Sequence, residues 1–190
     1  MLDLMILGFL ADSPLHGYEL RQKMAQLNGH ARTVSDGALY PAIRRLREAG
    51  HVTSTEEKGR AAAARRTLRL TDGGRARLLE LLRGADGADV TDQSRFFVVL
   101  AFLSHLPEAD ARDAVLRRRL RFLEGARSFF TADGEPLRAA RLTDPYRVGM
   151  MTIAHATSRA EMAWLREQLG KRRDEEQSQD PGPARESESR

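Results

Sequence analysis

The chain has 190 residues, a hydrophobic fraction of 41% and no cysteine. That is enough for one large domain or two small ones with real cores, and the lack of thiols excludes disulfides and thiolate metal sites. The net charge of +4 is uneven: residues 1–84 hold 14 basic and 9 acidic residues, residues 85–190 hold 17 and 18. The basic excess lies in the first half, as expected of a half that meets a polyanion.

Residues 1–10 predict a first helix, with Leu2, Met5, Ile6, Phe9 and Leu10 at i, i+3, i+4, i+7 and i+8. This apolar run lacks a basic start, is interrupted by Asp3 and ends at Ala11, too short for a bilayer. A soluble, cytoplasmic protein is expected. Ser13 is the predicted N-cap of a second helix with Pro14 in its first position, and Leu15, Tyr18, Leu20, Met24 and Leu27 mark it as far as Asn28-Gly29.

The third helix is "SDGALYPAIRRLREAG", from Ser35 to Gly50. Leu39, Ile43 and Leu46 form its apolar face, and Arg44, Arg45, Arg47 and Glu48 the polar one. Pro41 interrupts it at a cost of roughly 3 kcal/mol. The carbonyl its ring meets belongs to Gly37, where the backbone adjusts most readily. The expected result is a loosened or bent first turn, not a broken helix.

Two β-branched runs follow, "HVTSTEE" and "RRTLRLT", with Leu68 and Leu70 alternating against Thr67, Arg69 and Thr71. They predict a two-stranded hairpin whose tip holds Lys58, Gly59 and Arg60. Thr71-Asp72 then caps a fourth helix carrying Leu78, Leu79, Leu81 and Leu82. Helix, helix, helix, hairpin is the order of a winged helix-turn-helix, expected over residues 1–84.

Residues 85–91 are the expected linker, and 92–170 a second, helical domain. "TDQSRFFVVLAFLSHL" is apolar almost all round and so predicted to be buried on several sides. A long helix follows Pro107, carrying Val115, Leu116, Leu120, Phe122, Leu123, Ala126 and Phe130, and "TADGEPL" breaks it. From Pro145 to about Leu169, Tyr146, Met150, Ile153, Thr157, Ala160 and Trp164 recur at alternating spacings of four and three, a heptad-like seam. Val148, Met151, Met162, Leu165 and Leu169 form a second row. Two apolar faces predict packing against the helix's own domain and against something else. The tail, 171–190, is charged and Pro/Ser-rich, and is expected to be disordered. The fold class expected is mainly α with a small β-hairpin wing.

"ILGFLADSPLHGYEL", "SDGALYPAIRRLREAGHVTS" and "LRLTDGGRARL" resemble the signature segments of the PadR family of bacterial transcriptional regulators. "FFVVLAFLSHLPEADA" and "AEMAWLREQL" resemble the helical dimerisation domain of its virulence-activator branch. The resemblance covers about residues 2 to 169. It implies a homodimer that binds an inverted-repeat operator on double-stranded DNA and represses its own or a neighbouring gene. Release by a small-molecule effector is a further implication; some members of that branch activate instead. It places the third helix in the major groove and the wing on backbone or minor groove. One departure is the wing, where Ala61–Ala64 dilute the tip and Thr67-Leu68 stand where the family commonly has two aromatics.

The expected DNA contacts follow from that arrangement. Tyr40 and Arg44 face the groove, beside Arg45, and the amides of Ser35 and Gly37 at the helix start lie near phosphate. Tyr18 is a candidate phosphate contact, and Lys58, Arg60, Arg65 and Arg66 are the wing cations. Phe96, Phe97, Tyr146, Met150 and Trp164 are candidate effector-lining residues, with plain dimer core as the other reading. A winged-helix module that binds protein is the alternative function. No cofactor or metal is expected: His16, His30, His51, His105 and His155 lack ligand spacing. No phosphate loop or nucleophile elbow suggests an enzyme.

Overall fold

The computed structural model describes residues 1–27, 34–57, 65–125, 131–132, 135–136 and 143–179. The chain divides into two compact units, Met1–Val115 and Leu116–Arg190.

In the first unit, helix α1 (Leu2–Asp12) is the central element. Its sequence is apolar nearly all round, and Leu4, Met5, Ile6, Leu7, Gly8 and Leu10 are all buried. Each large side chain so covered contributes roughly 1.5–3 kcal/mol. Helices α2 (Gly17–Leu27), α3 (Asp36–Glu48) and α4 (Asp72–Arg83) and the sheet pack around it.

The second helix starts later than the Ser13-Pro14 signal predicts. Ser13 instead closes α1, its amide donating to the Phe9 carbonyl, and Leu15–His16 form a short strand, β1. The reason is pairing: β1 lies antiparallel to β3 (Arg65–Leu70), with Leu15 opposite Leu68 and His16 opposite Thr67. The wing sheet therefore has three strands in the order β1-β3-β2, with β2 spanning Val52–Glu57, and not the two expected. Thr67, expected outside, is buried because His16 covers it, its ring Nδ1 3.4 Å from the threonine hydroxyl. Glu19 then closes the start of α2, accepting from the His16 amide at 2.8 Å.

Helix α3 runs unbroken through Pro41, as expected, but its first turn is not the loosened one the proline predicts. The Ser35 carbonyl accepts from both the Ala38 and Leu39 amides, each at 3.0 Å, tightening the first turn. At the other end Gly50 takes φ +75°, His51 donates to the Leu46 carbonyl and Gly50 to that of Arg47. This is a Schellman stop, which needs a residue free to adopt the left-handed region. Thr71 caps α4 through its hydroxyl, 2.9 Å from the Gly74 amide. Gly74 is required there: an added Cβ would sit 2.0 Å from the His51 carbonyl oxygen.

Residues 85–91 hold buried Ala85 and Val90 and a short helix, α5 (Ala88–Thr91). Helix α6 (Gln93–Phe102) packs on α1 within the first unit. The Phe102 ring fills the space left by Gly8 and meets Phe9 edge-on at 5.0 Å. His105, in the 3-10 turn that follows, lies 3.1 Å from Asp12. Arg83 forks onto Glu108 at 2.7 and 2.9 Å.

The division between units falls inside α7 (Ala109–Glu124). The second unit also contains two short paired strands, β4 (Thr131–Ala132) and β5 (Glu135–Pro136), and the long helix α8 (Pro145–Gln179). Met151 and Leu165, from the second apolar row, are fully buried. Arg119 makes a two-pronged bond to Glu161, at 2.7 and 2.9 Å, with both side chains nearly buried. Helix α8 runs ten residues past Leu169, so residues 171–179, expected to be disordered, are helical, whereas 180–190 lie outside the described residues. Its continuation is rich in Lys, Arg, Glu and Gln, good helix formers, and Lys171 pairs with Glu167 one turn back at 2.7 Å.

Candidate nucleic-acid interface

Helix α3 buries Leu39, Ala42, Ile43 and Leu46 against α1 and the sheet, which dictates what it leaves outside. Tyr40, Arg44 and Arg47 follow at i, i+4 and i+7, forming one solvated stripe. Tyr40 is 52% exposed and its ring rests beside Gly17, where an added Cβ would come within 3.3 Å of it. Neither Arg44 nor Arg47 has an ion-pair partner among the described residues.

Two clefts flank this stripe. One, of about 230 Å³, has Ile43 and Leu68 at its floor, Tyr40 on a wall and Arg44, Arg47 and Arg66 among its lining residues. The other, about 550 Å³, lies between the C-terminal half of α3 and the start of β2, where Arg44, Arg47 and Glu48 face Val52, Thr53 and Ser54. Arg44, Arg47 and Ser54 line both clefts.

The remaining expected residues separate into distinct places. Arg45 turns the other way from Arg44 and pairs with Asp3 of α1 at 2.5 Å. Arg66 pairs across the strands with Glu56 at 2.7 Å, both side chains exposed. Tyr18 is half exposed, stacks on His16 with ring centres 5.9 Å apart and donates to Glu19 at 3.3 Å. Ser35 and Gly37 are exposed at the start of α3, and the Ser35 side chain makes no capping bond. Arg65 stands in β3 opposite Glu57. Lys58 and Arg60 lie outside the described residues.

Sequence reasoning missed Arg21, which reaches Asp36 at 3.2 Å and so places a cation beside the carboxylate at the start of α3. No local signal announces a pair fifteen residues apart; only the packing of α2 beside α3 creates it. Arg47 was visible as part of the polar face, but its place in the clefts was not.

The candidate effector residues are divided between the two units, Phe96 and Phe97 in the first and Tyr146, Met150 and Trp164 in the second. Phe96 is fully buried, whereas its neighbour Phe97 is 48% exposed. Tyr146, Met150 and Trp164 share the exposed seam of α8. Among the described residues no group of His, Cys, Asp and Glu could hold a metal ion, and no helix is long and apolar enough to cross a membrane.

Residues 6–80 match the transcriptional regulator PadR-like family. A transcriptional regulator of Mycobacterium tuberculosis is 40% identical over 75 residues, covering 40% of this chain and 66% of that one. A protein from a Streptomyces fradiae transposon is 41% identical over 58 residues, covering 30% of this chain and 16% of its own length. The chain thus spans less than two thirds of either curated relative. Bacillus subtilis PadR, solved with operator DNA and with p-coumaric acid, is 21% identical over 90% of this chain. Those overlaps cover 97% and 94% of the PadR chain, at TM-scores of 0.44 and 0.39. The winged arrangement of α1 to α4 with its three-stranded sheet is thus accompanied, over residues 6–80, by a match to the PadR-like family of transcriptional regulators.

Proposed function

We propose that this protein is a homodimeric, sequence-specific DNA-binding regulator of transcription, acting as a repressor of its own or a neighbouring gene. The observation that carries the reading is the stripe Tyr40–Arg44–Arg47: solvated, its arginines without an ion-pair partner among the described residues, on a helix whose opposite face is locked in the core. An apolar stripe there would favour a protein partner; guanidinium groups favour a polyanion. The start of α3 enters the major groove, its free amides near a phosphate, and Arg44 reaches a base edge, most favourably guanine.

Dimerisation is assigned to the C-terminal region. Tyr146, Met150, Ile153 and Trp164 leave an apolar seam on α8 exposed, with Ile153 69% and Tyr146 87% accessible. A second copy of the same helix covers such a seam with matching heptad spacing. The proposal includes release from DNA by a small molecule seated by Tyr146, Met150 and Trp164, while Phe96 serves packing.

The test is a gel shift with DNA from upstream of the protein's own gene, over a salt series, for wild type and Arg44→Ala. Wild type is expected to bind tightly at low salt and lose affinity steeply as salt rises. Arg44→Ala is expected to lose roughly 1–3 kcal/mol of preference for that site over scrambled DNA. No retardation of any duplex at low salt by an intact dimer overturns the reading.

A further inference from the structure

The stripe on α3 does two jobs at its two ends. Tyr40 stands in the first turns, close to the end that enters DNA, whereas Arg47 is seven residues further on, about 10 Å along the axis at 1.5 Å per residue. A side chain that far back from the leading end is placed at the rim of a groove, not at its floor. Arg47 there borders both clefts, beside an apolar floor made by Ile43 and Leu68 and opposite the small hydroxyl side chain of Ser54.

We infer that the cleft between α3 and the sheet is a seat for one strand's sugar–phosphate backbone, with Arg47 as its phosphate-binding residue. The match is chemical on both sides. Deoxyribose offers a compact, weakly polar face that suits Ile43 and Leu68. The phosphodiester offers an anion that suits a guanidinium with no ion-pair partner among the described residues. The volume of about 230 Å³ suits a sugar–phosphate unit and not a base pair. Arg66, also at this rim, is held by Glu56 and so is less free to turn to the phosphate. Glu48 borders the wider cleft and sets the limit on how far the backbone extends towards the end of α3.

The inference rests on the DNA-binding reading and separates Arg47 from Arg44 by role. Arg44 discriminates between sequences, whereas Arg47 holds any duplex in register.

The experiment uses the full chain and two duplexes of equal length, the DNA upstream of its own gene and a scrambled version, by fluorescence anisotropy between about 50 and 200 mM salt. Arg47→Ala is expected to weaken binding to both duplexes by a similar factor, roughly tenfold, and to lower the slope of log affinity against log salt by about 1. Arg47→Lys is expected to restore the slope, since the charge is kept. Unchanged melting of the exposed, unpaired Arg47→Ala variant confirms that folding is not the cause. An unchanged slope, or a loss confined to the upstream duplex, overturns the assignment while leaving DNA binding itself standing. Failure of wild type to bind either duplex overturns both. In a parallel calorimetric titration inorganic phosphate alone is expected to give no saturable heat. Saturable binding lost in Arg47→Ala would reassign the cleft to a free anion and overturn the proposal.

Discussion

Helices α3 and α8 share a design and differ in one respect. Each has a buried face holding it in its own unit: Leu39, Ala42, Ile43 and Leu46 on α3, Met151 and Leu165 on α8. Each also keeps a regular stripe outside. On α3 that stripe is tyrosine and arginine; on α8 it is tyrosine, methionine, isoleucine and tryptophan. The buried faces do the same work, the loss of apolar surface from water. The exposed stripes cannot be explained by folding, because they touch little. An arginine stripe is stable in water alone and gains from an anion, whereas an apolar stripe gains only from another apolar surface. The difference is the ground for proposing two kinds of partner for two helices of one chain.

The comparison breaks most visibly at α8. The double variant Ile153→Asp, Trp164→Asp puts two carboxylates on the seam, where pairing with a second copy would bury them. The dimer dissociation constant is expected to rise at least about a thousandfold, roughly 4 kcal/mol, by analytical ultracentrifugation, with helix content by circular dichroism unchanged. A dimer that persists unaltered would remove the seam's role. Next is the buried face of α3: Leu39→Ala, at a fully buried position, is expected to cost about 2–5 kcal/mol in chemical denaturation. A much smaller loss would mean that α3 is not anchored as described. The finest effect lies with Arg45, tied to Asp3. Arg45→Ala is expected to lower stability by under about 1 kcal/mol, since the pair is largely exposed, and to leave the salt dependence of DNA binding as in wild type. A lowered salt slope would return Arg45 to the interface beside Arg44.

How much of this was legible beforehand depends on the distance over which the cause acts. The faces of α3 and α8 could be read because their periods repeat within a few turns. So could the Thr71 cap and the Gly50 stop, each formed within a handful of residues. Leu15–His16 could not: the Ser13-Pro14 signal is a sound local start, but pairing with β3, some fifty residues on, outweighs it. Helix α8 beyond Leu169 shows the opposite limit. Composition that lacks a core face was read as disorder, although residues of that kind extend an existing helix once earlier turns have nucleated it.

The sequence by itself determined where the main helices of the first half lie, though not all of their ends, which faces α3 and α8 divide, and that cations accumulate in the first half. Local hydrogen bonding and the partition of side chains between water and core require nothing further. The tertiary structure decided which of those cations are free. Arg44, Arg45, Arg47 and Arg66 are equivalent as letters, yet α1 brings Asp3 to Arg45 and β2 brings Glu56 to Arg66. Arg44 and Arg47 are left to the clefts. A guanidinium's availability depends on which carboxylate packing places within about 4 Å of it, and that distance is set only when the elements come together.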